Sequence, residues 1–466
     1  MDPSSFALAD ATGIAAAVRR REITATAVVS ACLERIERLE PRWNTFVTVT
    51  GDDALRAAHA VDALLAQGQD PGPLAGVPVS VKDLIAVQGV RQTFGSLLLA
   101  DNIAQHDAPS VARLRAAGAC IVGKTTTSEL GSKAVGDSPL TGITRNPWDL
   151  SRTAGGSSAG AAAGVAGGIV PVALATDGGG SIRIPGSFCG LVGVKARFGR
   201  VPVWPAAATP LLAHVGPLAR NVRDAALMLS VIAGHDARDP ASLDVAVPDY
   251  LGCLGKGIRG LRVGWCPDFG FGPVDGSVAS ACRDAAEGLA SFGAIVTRVA
   301  PPFSRDPAPA WNHLFYGRIA VRLAELAPSA ERMALVNPAL REAVASHQAN
   351  LSLDDDTAAS WRLQAIAEAQ ACFRNVDLLL TPTLPVTALP VGVDVPPGHA
   401  GRNAVDWSYF TYPFNLTGHP AATVPVARDS RGLPIGLQLV AGYDGEQAIL
   451  RAAAALECLH PGMAAV

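Results

Sequence analysis

Two groups of serines lie in the glycine-rich stretch between residues 155 and 199 of this chain. The first group is Ser157-Ser158 and the second is Ser181, and glycines flank both. Apolar runs rich in β-branched and aliphatic residues separate the groups, which is typical of buried strands and not of a flexible linker. Glycine permits tight turns and close backbone approach. The pattern therefore predicts hydroxyls held beside backbone N–H groups, which suits acyl transfer because such groups stabilise an oxyanion.

These serines belong to a longer pattern. The runs GGSSAG (155–160), TDGGGS (176–181) and IRIPGSFCGLVGVK (182–195) together resemble the amidase signature family of serine hydrolases. Three more stretches, 73–89, 123–131 and 432–442, are similar to other landmarks of that family. The resemblance covers most of the chain, and its main motif is specific because it spans about 45 consecutive residues.

The resemblance implies a role for each reactive group: Ser181 as nucleophile, Ser157 as bridging hydroxyl and Lys82 as general base. A lysine at a strand end is ordinarily a surface residue whose ammonium reaches solvent, but beside this motif we interpret Lys82 as buried. Lysine has an ordinary pKa near ~10.4, and complete burial lowers it by roughly 3–5 units. Neutral Lys82 could then accept a proton from Ser157 while Ser157 accepts one from Ser181. The resemblance also implies a cis peptide bond between Gly156 and Ser157.

Three further sets of residues complete the predicted site. The oxyanion and substrate-binding set is Gly178, Gly179, Gly180 and Gly131; the candidate pocket wall is Trp204, Trp407, Tyr409 and Phe410; the supporting set, which holds the loops, is Ser158, Asp177 and Arg183. The aromatic run 406–414 fits a core cluster equally well, since aromatic residues dominate cores. The family usually has Thr or a bulkier residue at the position of Gly178, so the pocket wall is expected to be wider here.

Two other motifs have competing interpretations. Residues 118–125, GACIVGKT, match the phosphate-binding loop pattern, but its variable positions read as a strand, so we reject a phosphate site. Residues 156–160, GSSAG, match a nucleophile elbow with Ser158 as nucleophile and His419 as the best histidine. An elbow should follow an apolar strand directly, whereas the preceding residues read as a polar loop. We therefore expect His419 to be a loop residue outside the chemistry.

The pattern of elements predicts an α/β fold: an α/β/α sandwich around a central mixed, mostly parallel sheet. We expect one domain over residues 1–466, with a catalytic core at about 66–235 and a helical, substrate-side embellishment at about 303–375. Lys82 should end a strand, and helix 108–118 should precede strand 119–123. Residues 214–234 read as one amphipathic helix. Strand 258–265, helix 276–292 and strand 294–299 should form a strand–helix–strand unit, and a further strand should lie at 377–383.

Composition narrows the function classes. The chain has 466 residues, 49% of them hydrophobic and 17% charged, with a formal net charge of −3; this balance gives no reason to expect a nucleic-acid partner. No signal peptide or membrane span is apparent, and the eight cysteines are dispersed, which favours a reducing cytoplasm over a disulfide scaffold or zinc site. We expect no cofactor and no metal. The oligomeric state stays open, with a homodimer kept as a hypothesis.

Three functions remain. The leading one is hydrolysis of a carboxylic amide, with anilides, carbamates and esters included, through an acyl-enzyme on Ser181 and with a neutral apolar or aromatic small molecule favoured. The second is the glutaminase component of a tRNA-dependent amidotransferase, whose glutamine substrate should require charged pocket residues. A catalytically silent interaction protein is disfavoured because Lys82, Ser157 and Ser181 are all present.

Overall fold

The computed structural model describes residues 9–349 and 353–463, and fifteen strands form in these residues. Their bounds are β1 Phe46–Val49, β2 Pro78–Lys82, β3 Cys120–Thr125, β4 Asp137–Ser138, β5 Gly142–Ile143, β6 Arg145–Asn146, β7 Asp149–Thr153, β8 Val172–Asp177, β9 Val192–Lys195, β10 His214–Ala219, β11 Arg262–Trp265, β12 Ile295–Arg298, β13 Leu378–Pro382, β14 Ala421–Arg428 and β15 Pro434–Ala441. Strands β4–β5 and β6–β7 form two small ribbons. The other strands build one large sheet.

That sheet has eleven strands within the described residues, in the order β1-β3-β2-β8-β10-β9-β14-β15-β13-β11-β12. It is mixed as expected, but it is not mostly parallel: six neighbouring pairs are antiparallel and four are parallel. Connection length explains part of the difference. Residues 429–433 alone join β14 to β15, and so short a link permits a hairpin but not the crossover that a parallel pair requires.

Helices cover the sheet and complete the α/β/α sandwich. In the described residues they are α1 Ala11–Arg19, α2 Ala25–Trp43, α3 Gly51–Ala66, α4 Pro109–Ala116, α5 Ala159–Ala166, α6 Arg183–Cys189, α7 Val222–Ile232, α8 Gly276–Gly288, α9 Ala308–Leu326, α10 Ala330–Ala334, α11 Pro338–Ala349, α12 Asp355–Asn375, α13 Pro413–Leu416 and α14 Glu446–Leu459. Short 3-10 turns lie at Leu97–Leu99, Glu129–Gly131, Leu254–Lys256 and Leu289–Phe292. The largest apolar core lies between these helices and the sheet.

Most element predictions are confirmed. Lys82 ends β2, α4 precedes β3, and β11, α8 and β12 form the expected parallel unit. Four consecutive helices, α9 to α12, occupy the stretch predicted to be helical, and a second apolar core rich in aromatic residues lies beneath them.

The prediction of one helix over residues 214–234 is wrong. Its first part is β10, which pairs antiparallel with β8 along all six of its residues, and α7 begins only at Val222. Asn221 marks the boundary because its side chain caps α7 by accepting a hydrogen bond from the N–H of Asp224 at 2.7 Å. A fully buried strand and a buried helix share an apolar pattern, so periodicity alone does not separate them.

None of the helices in the described residues is long and apolar enough to cross a membrane.

Candidate active site

Lys82 is the centre of a buried polar cluster at the end of β2. Its ammonium nitrogen Nζ lies 2.7 Å from Ser157 Oγ and 2.8 Å from Thr176 Oγ1. Thr176 is on β8, which runs parallel to β2 in the sheet, so the two strand ends place lysine and threonine side by side. Lys82 is fully buried. It is therefore not the surface lysine that a strand end usually provides.

The surroundings favour a neutral Lys82. Burial holds the pKa of Lys82 well below its ordinary range, because desolvation penalises the charged amine, while the nearby Asp177 carboxylate acts in the opposite direction. That carboxylate is itself paired with Arg183, with Arg183 Nη2 2.9 Å from Asp177 Oδ1 and both side chains fully buried. A neutral amine beside a hydroxyl can accept its proton, which is the chemistry of a general base.

Ser157 is held by a crowded turn. The peptide bond between Gly156 and Ser157 is cis, as the resemblance implies. Gly131, on a neighbouring loop, approaches so closely that an added Cβ would lie 3.3 Å from Ser157 Oγ. The hydroxyl of Ser158 points elsewhere and donates to the backbone carbonyl of Thr176 at 3.2 Å. Ser157 and not Ser158 is thus the serine that contacts Lys82.

The glycine run after β8 forms a loop around Ser181. Trp311 Nε1 donates to the carbonyl of Gly178 at 3.0 Å, and Thr411 Oγ1 donates to the carbonyl of Gly179 at 2.7 Å. Gly180 has a φ of +130°, which a side chain would disfavour. Both carbonyls are therefore fixed, and the loop can keep one conformation beside the serine.

The N–H groups of this loop point in different directions. The Gly180 N–H donates to Asp177 Oδ1 at 2.7 Å. This N–H is therefore not free for a substrate, although Gly180 was predicted to belong to the oxyanion and substrate-binding set. The N–H groups of Gly179 and Ser181 make no hydrogen bond to another described residue. These two N–H groups, of Ser181 itself and of the glycine two residues before it, are therefore not used by the described part of the protein.

Ser181 and Ser157 open into one cavity of about 400 Å³. Its wall is mainly apolar and includes Gly131, Gly178 and Phe315, and Trp204 lies in it as predicted. Trp204 is held from outside by His106, whose ring centroid is 5.2 Å away, and by the guanidinium of Arg238 at 4.4 Å. A cavity of this size and character suits a small apolar molecule.

The other predicted wall residues lie in the core. Trp407, Tyr409 and Phe410 are fully buried and are not among the residues that line this cavity. Trp407 stacks on Phe188, while Tyr409 and Phe410 belong to the aromatic core beneath α9 to α12. The aromatic run 406–414 thus packs the interior, because its large rings bury most area there.

The supporting residues form a buried network behind the loop. Asp177 accepts hydrogen bonds from Arg183 and from Asn415 Nδ2, the latter at 2.8 Å. Arg183 also donates to Asn415 Oδ1 at 2.6 Å and to Gln438 Oε1 at 2.8 Å. Burial alone would raise the pKa of Asp177, but Arg183 holds it well below its ordinary value. The predicted structural role of Asp177 and Arg183 agrees with these contacts.

Neither competing motif assembles a site. Lys124 of the phosphate-loop pattern is buried in β3 and pairs with Asp83 at 3.1 Å. His419 is buried, its Nδ1 contacts Thr417 Oγ1 at 2.9 Å, and desolvation lowers its pKa to about 3. The polar loop that we expected before GSSAG is instead the strand β7, but β7 belongs to a small ribbon outside the main sheet.

Thr176 and His214 are two of the cavity residues that the sequence did not predict. Thr176, which contacts Lys82, is the first residue of the TDGGGS run, but its place in a buried strand hid its role. His214, on β10, also lines the cavity, and its Nδ1 donates to the carbonyl of Leu212 at 2.8 Å. Burial keeps the pKa of His214 well below its ordinary value, so its ring is neutral. Within the described residues, no group of three or more His, Cys, Asp or Glu side chains could hold a metal.

Comparisons with known proteins show the family to which this chain belongs. The family model Amidase matches residues 27–450. An acylamidase from Rhodococcus erythropolis is 35% identical, with 97% of this chain and 95% of the relative covered. The A subunit of a glutamyl-tRNA(Gln) amidotransferase from Synechococcus sp. (strain RCC307) is 37% identical, with 94% of each chain covered. A bacterial aryl acylamidase structure superposes with a TM-score of 0.91 at 31% identity, covering 97% of this chain and 96% of its own. The chain belongs to the amidase signature family of hydrolases.

Proposed function

We propose that this protein hydrolyses the C–N bond of a carboxylic amide through an acyl-enzyme on Ser181. The observation that carries the proposal is the buried contact of 2.7 Å between Lys82 Nζ and Ser157 Oγ, in the cavity that Ser181 also lines. A lysine with a lowered pKa is a base at neutral pH, whereas an ordinary lysine is not.

The proposed proton path starts from the Lys82–Ser157 contact and continues to Ser181, which lines the same cavity. Neutral Lys82 accepts the proton of Ser157, Ser157 accepts that of Ser181, and Ser181 Oγ bonds to the substrate carbonyl carbon. The N–H groups of Gly179 and Ser181 stabilise the negative oxygen of the tetrahedral intermediate. Reverse transfer through the same groups protonates the leaving amine as the C–N bond breaks. Water then attacks the acyl-enzyme by the same path and releases the acid.

Replacing the nucleophile tests this proposal. Ser181→Ala should abolish turnover and labelling by a fluorophosphonate, because the lost hydroxyl is the group that becomes acylated. The matched control is Ser158→Ala, which should still be labelled because its hydroxyl donates to a backbone carbonyl and not to Lys82. Mass spectrometry of the labelled peptide identifies the serine. Label that persists in Ser181→Ala and disappears in Ser158→Ala would support the elbow interpretation instead.

The cavity favours a neutral, apolar or aromatic amide, anilide, carbamate or ester. Two charged side chains line the cavity among the described residues, Asp177 and Arg322. Arg183 compensates the charge of Asp177. Arg322 is exposed, and its Nη1 pairs with Glu325 at 2.8 Å. A panel of p-nitroanilides, small aliphatic amides and glutamine, assayed on the purified chain alone, tests this preference.

A second candidate is a glutaminase component that supplies ammonia to a partner chain, and the similarity to the amidotransferase relatives favours it. Glutamine carries an α-ammonium and an α-carboxylate, which need charged partners when they leave water. The mainly uncharged wall offers few such partners. Glutaminase activity that appears only with a copurifying partner chain, together with inactivity on anilides, would establish the second candidate.

A further inference from the structure

One wall of the cavity carries two polar groups besides the serines. The segment of Leu84, Ile85 and Ala86 follows Lys82 and lines the cavity, and it is fixed to β2 because the Ile85 N–H donates to the Lys82 carbonyl at 2.9 Å. Gln92 is attached to this segment through Nε2, which donates to the carbonyl of Leu84 at 3.2 Å.

The start of α4 is attached to the same segment. The Ala108 N–H donates to the carbonyl of Ala86 at 3.0 Å, so Ser110, two residues later, belongs to the same wall as Gln92. Both Ser110 and Gln92 line the cavity, where most of their neighbours are apolar. The segment after the proposed base therefore joins two polar side chains to the wall of the substrate space.

Neither polar group is fully used by the protein. Ser110 is fully buried, and its hydroxyl has no hydrogen-bond partner in the described part of the chain. Gln92 is 7% exposed, and its Oε1 accepts no hydrogen bond from a described residue. A buried hydroxyl without a partner is costly, and because Ser110 lines the cavity, a ligand in the cavity can supply the missing bond. Ser110 can donate and Gln92 Oε1 can accept.

The wall is also uncharged. Asp107, next to Ala108, turns its carboxylate to the Gln88 N–H at 2.8 Å and to Arg115 Nε at 3.0 Å. A carboxylate or ammonium buried at Ser110 would therefore lack a counter-charge and would be disfavoured. A secondary amide fits both groups, because its oxygen accepts and its N–H donates while the group stays neutral.

We propose that Ser110 and Gln92 form a subsite for a second amide group of the substrate. The carbonyl oxygen of that amide accepts from Ser110, and its N–H donates to Gln92 Oε1. The substrate class is then a diamide in which an apolar spacer separates the scissile amide from the bound one. This inference rests on the proposed amide hydrolysis at Ser181.

Matched substrates test the subsite. The first compound of each pair is an anilide or alkylamide that carries a second, secondary amide across an alkyl spacer. The other compound is identical except that methylene groups replace the second amide. Spacer lengths are varied, and the second amide is placed in either the acyl or the amine portion. The ratio of the two kcat/KM values is measured for each pair, since a ratio within one enzyme cancels differences in the folded fraction.

We expect the wild type to prefer the diamide of the best pair by about tenfold or more. Ser110→Ala and Gln92→Leu should each reduce this ratio by about tenfold, which corresponds to ~1.4 kcal/mol. Thr48→Val is the control, because it removes a buried hydroxyl that also lacks a partner but does not line the cavity; its ratio should match the wild type. Calorimetric titration of Ser181→Ala with the best diamide gives the same comparison without turnover.

Two results would overturn the subsite: no preference for a diamide in any pair, or a preference that Ser110→Ala and Gln92→Leu leave intact. If simple anilides are still hydrolysed through Ser181, that failure concerns the subsite alone. If Ser181→Ala retains wild-type turnover, the proposed function is wrong, whatever the ratio of the two kcat/KM values, and the subsite proposal that rests on it is wrong too.

Discussion

At the scale of single residues, the proposed chemistry depends on the protonation state of Lys82. The amine has two hydroxyl partners, Ser157 and Thr176, and its nearest opposing charge is the Asp177 carboxylate, which Arg183 compensates. Desolvation therefore dominates and lowers its pKa. In the proposed mechanism the functional form is the neutral amine, so lowering the pH through the pKa of Lys82 should remove the base.

We therefore expect kcat/KM to rise with pH through a pKa well below that of ordinary lysine. Lys82→Met should lower kcat/KM by about 10²–10⁴-fold, as loss of a general acid–base does. The loss should be greater for a p-nitroanilide than for a p-nitrophenyl ester, because the anilide nitrogen needs a proton to depart and the phenolate does not. Stopped assays over a pH series measure both effects.

Lys82→Arg separates proton transfer from positive charge. A guanidinium stays protonated at any working pH, so this variant should not recover activity. Lys256→Met is the matched control, since Lys256 is exposed on a distant 3-10 turn, and its pH profile should equal that of the wild type. Near-normal amidase activity in Lys82→Arg would mean that Lys82 supplies only charge, and the base assignment would be withdrawn.

At the scale of elements, the loop after β8 depends on its glycines for different reasons. A Cβ added at Gly179 would lie 2.5 Å from Trp311 Cζ2, and Trp311 cannot easily move because it stacks on Phe315 with ring centroids 4.4 Å apart. A Cβ at the neighbouring Gly178 would meet atoms no closer than 3.6 Å. Adjacent glycines thus differ in the room that they leave.

Gly179→Ala should accordingly lower the free energy of unfolding by about 1–3 kcal/mol, the usual cost of overpacking. It should also reduce kcat by moving one proposed oxyanion donor. Gly178→Ala is the matched control for stability and should unfold at the same urea concentration as the wild type. Its methyl group would enter the cavity wall, so KM should rise more for bulky anilides than for small ones. Equal unfolding midpoints for the two variants would contradict this account.

The same elements show what the sequence could predict. The position of Lys82 at a strand end followed from the local apolar pattern. Its neighbourhood with Ser157 followed from the family resemblance, because the motifs that carry it specify residue types and spacing. Strand direction did not follow, since it depends on connections that an apolar pattern does not record. The role of the aromatic run 406–414 did not follow either. Composition says that aromatic rings are buried but not whether a cavity lies beside them.

At the scale of the whole molecule, one buried network joins distant parts of the chain to the site. Arg183, at the start of α6, contacts Asp177 at the end of β8, Asn415 in α13 and Gln438 in β15. In the sequence, the glycine loop around Ser181 lies directly between Asp177 and Arg183, the two charged members of this network. Asn415 and Gln438, from the last part of the chain, thus help to hold the proposed oxyanion loop in place, although neither residue lines the cavity.

Arg183→Met should affect both stability and pH dependence. Removing one partner of a buried ion pair leaves an uncompensated charge, so the free energy of unfolding should fall by about 3–5 kcal/mol. Urea denaturation measures this change. The freed Asp177 charge raises the pKa of Lys82, because a nearby carboxylate favours the protonated amine. The acidic limb of kcat/KM should therefore move to higher pH in the fraction that stays folded.

A surface ion pair supplies the control for Arg183→Met. Arg197 Nη1 pairs with Asp444 at 2.7 Å, and both side chains remain partly exposed. Arg197→Met should cost only about 0–1 kcal/mol, because solvent screens such pairs, and it should leave the acidic limb in place. If Arg183→Met unfolds like Arg197→Met and its acidic limb also stays in place, the network neither supports the loop nor offsets the charge beside Lys82. The low pKa of Lys82 would then be due to desolvation alone.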